Sequence, residues 1–160
     1  NRDRLAGFRE VLATHGVTDI EIRTGNYNRA DAEAAARELL SLPRRPEAIF
    51  VANDHMAVAV MDVARYEFGL SIPDDLSIVG YDDVGPARWP SYGITSVTQP
   101  IEGMVEATVD ILMDQIASGE IEAHHKVIAG EMVVRTSARL PKSGIVTVDG
   151  RRLYRPEGKS

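Results

Sequence analysis

Two short apolar runs separated by a helix-length segment most constrain what this chain can fold into. The runs are residues 48–52 and 76–80, and polar residues flank both. Short runs rich in β-branched residues are typical of strands buried in a parallel sheet. The intervening residues 54–68 have helical spacing and are followed by Gly69, which suits the position after a helix. Strand, helix and strand in this span predict a βαβ crossover.

The remaining patterns extend this unit to an α/β fold. Apolar spacing predicts helices, which cover residues 2–15, 29–40 and 101–118. Further strands are predicted over residues 18–23 and 94–98. Alternation of this kind indicates a doubly wound parallel sheet with helices on both of its faces.

The C-terminal tail, residues 141–160, has a separate signal. Residues 144–148 read Gly-Ile-Val-Thr-Val, and residues 151–154 read Arg-Arg-Leu-Tyr. The two residues between them, Asp149 and Gly150, suit a two-residue type I′ turn. The tail is therefore predicted to contain a β-hairpin over residues 144–154.

Composition excludes several classes of protein. The net charge of −6 argues against a large nucleic-acid footprint on this chain, and there is no cysteine for disulfide or thiolate chemistry. No apolar run is long enough to span a bilayer. We find no glycine-rich phosphate loop and no metal-binding spacing of His, Asp and Glu, so we expect no metal, no cofactor and no catalytic residues.

Polar residues stand where the predicted strands end. Tyr27, Asn53 and Asp82 each follow a separate strand, and ligands of open α/β sheets bind at this edge. Arg4 would join them if a strand preceded the helix that begins near residue 2. Taken singly, Asn53 could be only a helix cap, Tyr27 a turn aromatic and Arg4 a surface charge. Together an arginine, an amide, a carboxylate and an aromatic face suit a polyhydroxylated ring.

The helix predicted over residues 54–68 is apolar almost all round. A helix on one face of a sheet needs only one apolar stripe. The excess predicts a second buried contact with either another subunit or another lobe. The irregular loop 84–93, which holds Trp89, is expected to join a subunit interface with this helix.

Several motifs resemble one family of bacterial transcription regulators. They are Arg-Leu-Ala-Gly-Phe at 4–8, Val-Ala-Asn-Asp-His-Met-Ala at 51–57, Ile-Pro-Asp-Asp-Leu-Ser-Ile-Val-Gly-Tyr-Asp-Asp at 72–83, Thr-Ser-Val-Thr-Gln-Pro at 95–100 and Val-Arg-Thr-Ser at 134–137. In order and spacing they resemble the lactose-repressor (LacI/GalR) family from residue 2 to about residue 140.

The resemblance implies a two-lobed effector domain of the type I periplasmic-binding-protein class, truncated at its N-terminus. Residues 1–140 would be mainly its C-terminal lobe, with crossover strand 94–99 and helix 101–118 belonging to the other lobe. The family's contacts with a sugar or other small effector fall on Arg4, Tyr27, Asn53, Asp82 and Gln99.

The resemblance also implies partners and a location. We expect a cytoplasmic homodimer that contacts no membrane, joined through helix 54–68 and loop 84–93. Operator DNA would be bound only by an N-terminal head that is absent from this chain. A periplasmic-type sugar-binding protein for uptake is the alternative, and a doubly wound enzyme is less favoured.

The strand that should precede the first helix is not in the sequence. In a doubly wound lobe it lies between the strands predicted at 18–23 and 48–52. An empty slot would leave unpaired backbone groups, each costing about 1–3 kcal/mol if buried. We therefore expect the slot to be closed by direct pairing of the flanking strands, by the 144–154 hairpin, or by a strand from another copy.

Overall fold

Six strands and four α-helices make up the regular structure of the part of the chain that is described. A computed structural model describes residues 2–119 and 123–156, and of Arg2 only the backbone. In chain order the elements are α1 (Arg2–Thr14), α2 (Arg29–Leu40), β1 (Ala48–Phe50), α3 (Asp54–Asp62), β2 (Ser77–Asp82), β3 (Thr95–Thr98), α4 (Ile101–Ser118), β4 (Met132–Val133), β5 (Ile145–Val148) and β6 (Arg151–Tyr154). A π-helical turn, Val63–Glu67, continues α3, and a 3-10 helix, Gly85–Arg88, follows β2.

The predicted βαβ unit is present. Strands β1 and β2 run parallel, with Ala48 opposite Ser77 and Phe50 opposite Val79. The side chain of Asn53 caps the connecting helix α3 by accepting a hydrogen bond from the backbone N–H of Met56. The prediction is confirmed, and it places the polar residues after both strands at one edge of the sheet.

Helix α2 provides the second contact of α3. The side chain of Asn28 caps α2, and the small residues Ala32 and Ala36 let the two helices pack closely. Met61 and Val60 of α3 are buried within this chain. A neighbouring helix of the same chain therefore covers part of the apolar surface of α3, and the predicted contact with another subunit or another lobe stays a prediction.

The sheet is mixed and contains the predicted parallel strands together with antiparallel ones. Its strand order is β1-β2-β3-β4-β6-β5. The first three strands are parallel, whereas β4, β6 and β5 pair with their neighbours in antiparallel fashion. The reason is the chain path: the chain leaves the sheet through β3 and returns beside it through β4 in the opposite direction.

The tail forms the predicted hairpin. Ile145 pairs with Tyr154 and Val148 with Arg151. Asp149 and Gly150 between them have φ of 48° and 74°, as a type I′ turn requires. The hairpin extends the sheet beyond β4, at the end opposite to β1.

The strand predicted over residues 18–23 is absent from the structure. These residues are in no ladder, and β1 pairs only with β2 among the described residues. A strand needs a partner for its backbone groups, and no described strand pairs with residues 18–23. Direct pairing across the slot and filling by the hairpin are therefore both wrong. Pairing with a strand of another copy stays a prediction.

Helix α1 contacts β1 and the residues just beyond it. The ring of Phe8 stacks on that of Phe50, with 5.0 Å between the ring centroids and 25° between the planes. The Arg4 guanidinium donates a hydrogen bond of 2.8 Å to the carbonyl oxygen of Ala52, just beyond β1. These contacts hold α1, which carries Arg4, close to the carboxyl edge of the sheet.

Helix α4 has the predicted bounds and ends at Gly119, whose φ is 70°. Of its side chains only that of Ala107 is buried. The exposed apolar residues are Ile101, Met104, Val105, Val109, Leu112, Met113 and Ile116. Within the described residues no helix, α4 included, is long and apolar enough to cross a membrane.

Candidate functional site

Three of the five predicted site residues meet directly at the carboxyl edge of the sheet. Asp82 ends β2, Gln99 follows β3, and Arg4 projects from α1. The Gln99 amide donates to Oδ1 of Asp82 at 2.5 Å. An Arg4 nitrogen lies 3.5 Å from the same carboxylate oxygen. The site is thus built from one cation, one anion and one neutral amide, all partly accessible.

The Arg4 guanidinium also contacts a residue that sequence reasoning missed. Its central carbon lies 3.8 Å from the centroid of the Tyr81 ring, which is cation–π geometry. Strand alternation would place Tyr81 on the side opposite to Asp82. The backbone at Asp82 breaks this alternation, since its φ is 100°. The only signal for this contact in the sequence is that the aromatic residue Tyr81 directly precedes Asp82, a predicted ligand carboxylate.

Asn53 lies beside this cluster and serves as the α3 cap. Its side-chain oxygen accepts from Met56 N at 2.9 Å, as the capping interpretation predicted. Its neighbour Ala52 supplies the carbonyl that Arg4 binds. Within the described residues no hydrogen bond uses the Asn53 amide N–H groups, so they can donate to a ligand while the oxygen holds the helix.

Tyr27 lies in a separate cavity of about 190 Å³. Residues that line this cavity include Asn28, His55 and Trp89, so it lies where α2 and α3 begin. Tyr27 is 49% exposed. In the described part of the chain no hydrogen bond or ion pair joins Tyr27 to Arg4, Asp82 or Gln99. The structure therefore brings Arg4, Asp82 and Gln99 together directly, and leaves Tyr27 beside them on a neighbouring surface.

Left-handed backbone conformations cluster at this edge. Asn26 and Tyr27 have φ of 45° and 57°, and Asp82 and Asp83 have φ of 100° and 51°. For a residue other than glycine such conformations cost about 1–3 kcal/mol, and they concentrate where function requires them. Two of the five predicted ligand residues are therefore held at a cost to stability.

A buried carboxylate underlies the site. Asp54 is fully buried; it accepts hydrogen bonds from the Ser96 hydroxyl at 2.7 Å and from Val84 N at 3.0 Å. The Ser96 hydroxyl in turn accepts from the backbone N–H of Asp83. The Asp54 carboxylate lies directly against the backbone of Gly80, where a Cβ atom would overlap it. This network ties α3, β2 and β3 together just below Asp82.

Burial raises the pKa of the Asp54 carboxyl, an effect only partly offset by the hydrogen bonds from Ser96 and Val84. The folded state therefore holds the Asp54 proton more tightly than the unfolded state. The resulting stabilisation is complete below the ordinary aspartate pKa of about 3.9 and is lost as the pH rises through the raised value.

The variant Asp54→Asn cannot ionise and should lack this pH dependence. From about pH 4 to pH 7, its melting temperature is expected to fall less, or rise more, than that of the unsubstituted protein. Thermal unfolding followed by circular dichroism across this range measures the difference. Parallel pH profiles for the two proteins would contradict the assignment of a raised Asp54 pKa.

No cluster of three His, Asp or Glu side chains suited to a metal ion occurs among the residues that the structure describes. The side chains at the site can donate to and accept from neutral hydroxyl groups. Arg4 and Asp82 compensate each other's charge, so the pair presents no net charge to a ligand.

In sequence, this chain resembles one family of proteins. Residues 1–138 match the family model of the periplasmic binding protein-like domain. The chain is 32% identical over 139 residues to the ribose operon repressor of Escherichia coli, covering 86% of this chain and 42% of that protein. The chain spans about two fifths of the length of such curated relatives.

Solved structures of transcriptional regulators also resemble this chain. A LacI transcriptional regulator from a Rhodococcus species superposes with a TM-score of 0.78 at 34% identity, over 86% of this chain and 50% of that one. The complex of the transcriptional regulator CelR with cellobiose gives a TM-score of 0.75 at 34% identity, over 84% of this chain and 42% of that one.

Proposed function

Because this chain belongs to the family of periplasmic-binding-protein-like domains, in the form shared with LacI-type regulators, we propose that it is the effector-binding part of such a regulator. Its effector would be a sugar or a similarly hydroxylated small molecule. Its role would be binding without catalysis, in agreement with relatives that are transcriptional repressors. The observation that most supports this proposal is that Arg4, Asp82 and Gln99 meet at one edge of the sheet.

The charge and chemistry of this cluster favour a neutral, polar ligand. Arg4 and Asp82 offset each other, and Gln99 adds an amide. Neighbouring hydroxyls of a sugar both donate and accept, so they can pair with a carboxylate on one side and with N–H donors on the other. Asn53 adds two amide donors, and Tyr27 an exposed aromatic face for C–H surface.

The apolar surface of α4 supports the division into two lobes. Residues 1–140 would then be mainly the C-terminal lobe, and α4 would pack in the other lobe of a longer protein. A helix with this much exposed apolar surface is rarely left uncovered in a soluble domain. The effector would lie between the lobes and favour their closed arrangement, which is a coupling of two sites through a two-state element.

Operator DNA would be bound by an N-terminal head outside this chain, in the cytoplasm. A solute-binding protein for uptake shares this fold and remains the second candidate. The relatives named repressors favour the regulator.

The proposal is tested with the full-length protein and a panel of sugars. Ribose and cellobiose are tested first, because one relative is a ribose operon repressor and one similar structure is a complex with cellobiose. Other mono- and disaccharides follow. A saturable rise in melting temperature with one of them, together with a change in operator affinity, is the expected result. Sugar binding without any DNA binding by the full-length protein would favour the uptake protein instead.

We also propose a homodimer through residues 54–68 and loop 84–93. Two large aromatic side chains are exposed there: Tyr66 is 82% exposed and Trp89 is 55% exposed. The elements that carry them are adjacent, because the Arg65 guanidinium donates to the carbonyl oxygen of Ser91 at 2.6 Å. Val58 of α3 is partly buried and Met61 is fully buried in the single chain, so the interface would rest mainly on the two exposed aromatic side chains.

Placing a charge on this surface should separate the subunits. Tyr66→Arg combined with Trp89→Arg is expected to raise the dimer dissociation constant by about tenfold or more, since buried aromatic residues dominate such interfaces. Sedimentation velocity of the full-length protein measures the effect. Val11→Arg, which also places an arginine on an exposed apolar position but on α1, is the control and should remain dimeric. A double variant as dimeric as this control would rule out the interface.

A further inference from the structure

Asp83, which follows the site residue Asp82, is contacted by three arginines. Its side chain is nearly fully buried. Arg135 lies 2.5 Å from one of its carboxylate oxygens, and Arg88 and Arg151 lie 3.2 Å and 3.4 Å from the other. The arginines come from three separate elements: the 3-10 helix, the residues after β4, and hairpin strand β6. One negative charge therefore faces three positive charges.

This excess of positive charge is opposite to the pattern elsewhere in the chain. Outside the Asp83 cluster, three arginines each contact two carboxylates. They are Arg23 with Glu21 and Glu38, Arg29 with Glu33 and Asp62, and Arg37 with Glu33 and Glu67. In the described part of the chain Arg88, Arg135 and Arg151 have no carboxylate partner besides Asp83. A chain with net charge −6 thus concentrates two uncompensated positive charges at one point.

Two of the three arginines keep donors free for a ligand. Arg135 uses both of its terminal nitrogens within the chain, one toward Asp83 and one toward the carbonyl oxygen of Ile94. Arg88 and Arg151 each use a single terminal nitrogen toward Asp83. Their side chains are 64% and 47% exposed in the single chain, and the dimer contact proposed through loop 84–93 would have to leave Arg88 open. Both approach the same oxygen of Asp83, so the two guanidinium groups are neighbours with unused N–H groups and like charges.

We propose that Arg88 and Arg151 bind a dianionic phosphate group, either free or as a phosphate monoester of a small molecule. The ligand charge follows from the excess of two positive charges. The ligand shape follows from the planar guanidinium group, whose paired N–H donors match phosphate oxygens. The residues of this site differ from those of the effector cleft, since Arg88 and Arg151 contact Asp83 whereas Arg4 and Gln99 contact Asp82. It includes the appended hairpin, which lies outside the region matched to the family.

The test is a titration of the full-length protein with inorganic phosphate at constant ionic strength and at pH 8, followed by calorimetry and by melting temperature. Saturable binding with one site per chain is expected, whereas chloride and acetate should give none. Arg88→Ala and Arg151→Ala should each weaken phosphate binding by about tenfold or more, as expected for loss of a charge-assisted pair. Glucose 6-phosphate, titrated into the Asp82→Ala variant so that the effector cleft does not contribute, distinguishes the sources: tighter binding than inorganic phosphate indicates a monoester, and equal or weaker binding indicates free phosphate.

The matched control is Arg152→Ala, which removes the same charge from the adjacent exposed position of β6. It should change phosphate affinity less than twofold. Arg88→Lys and Arg151→Lys keep the positive charge but lose the planar pair of N–H donors, so they should also weaken phosphate binding. They test the site if an alanine variant fails to fold. Asp82→Ala should keep phosphate binding, which separates this inference from the effector site. Absence of saturable binding, or equal weakening by Arg151→Ala and Arg152→Ala, would overturn the proposal.

Discussion

Replacing Gly80 with alanine is expected to destabilise the domain by about 3 kcal/mol or more. The added Cβ atom would overlap the buried carboxylate of Asp54 and come within 3.1 Å of a methyl group of Ile94. Asp54 cannot move away without breaking its hydrogen bonds to Ser96 and Val84. The cost therefore combines overpacking with the loss of satisfied buried polar groups. For a chain of this size it corresponds to a fall in melting temperature of roughly 6–12 °C.

The control for this substitution is Gly7→Ala in helix α1. A Cβ atom at Gly7 would meet nothing within 4 Å. Alanine in a helix interior is favoured over glycine by about 1 kcal/mol, so this variant should be as stable as the unsubstituted protein or more so. Denaturant unfolding of both variants gives the comparison. A Gly80→Ala variant with unchanged stability would show that the Asp54 network does not hold this part of the sheet together.

Removing the Asp82 carboxylate is expected to weaken effector binding by about tenfold or more in the full-length protein. Charge-assisted hydrogen bonds contribute about 1.5–3 kcal/mol each, and Asp82 is the acceptor on which Arg4 and Gln99 converge. Asp82→Ala removes the carboxylate and keeps the unfavourable backbone. Asp82→Gly removes the carboxylate and also relieves the left-handed conformation at φ 100°. Both variants should lose affinity, but Asp82→Gly should be the more stable of the two.

The two variants separate binding from folding. Calorimetry with the sugar identified by the screen gives the affinity, and thermal unfolding without ligand gives the stability. Asp74→Ala is the matched control, because it removes an exposed aspartate from the turn before β2. Affinity unchanged in Asp82→Gly relative to this control would remove Asp82 from the site.

Local signals in the sequence were sufficient for much of the fold. The βαβ unit was predictable because two apolar runs and a capped helix occupy consecutive residues. Helix α4 and the hairpin were predictable for the same reason, since Pro100, Gly119 and the Asp149-Gly150 turn lie within or beside their elements. The positions of Asn53 and Asp82 at this edge followed from strand ends, whereas Arg4 and Gln99 were added by the resemblance to the family.

Features that depend on distant contacts were not predictable. Residues 18–23 have the composition of a strand, but strand formation depends on a partner, and no described strand pairs with them. The apolar residues of α3 gave no indication that α2 covers them. The contact between Arg4 and Tyr81 depends on the left-handed backbone at Asp82, which a side-chain pattern does not reveal.

The hairpin also has a mechanical consequence for a two-lobed molecule. Strand β4 pairs with β3 on one side and with β6 on the other, so it is not a free edge. The connections to α4 are pinned together as far as Thr98 and Glu131, which exchange backbone and side-chain hydrogen bonds. If α4 packs in a second lobe, this double pairing would stiffen the two connections up to Thr98 and Glu131 and leave the residues just beyond them to bend. Gln99 is the first residue past this pairing, so a ligand that displaces its bond to Asp82 would act where a small rotation moves α4 furthest.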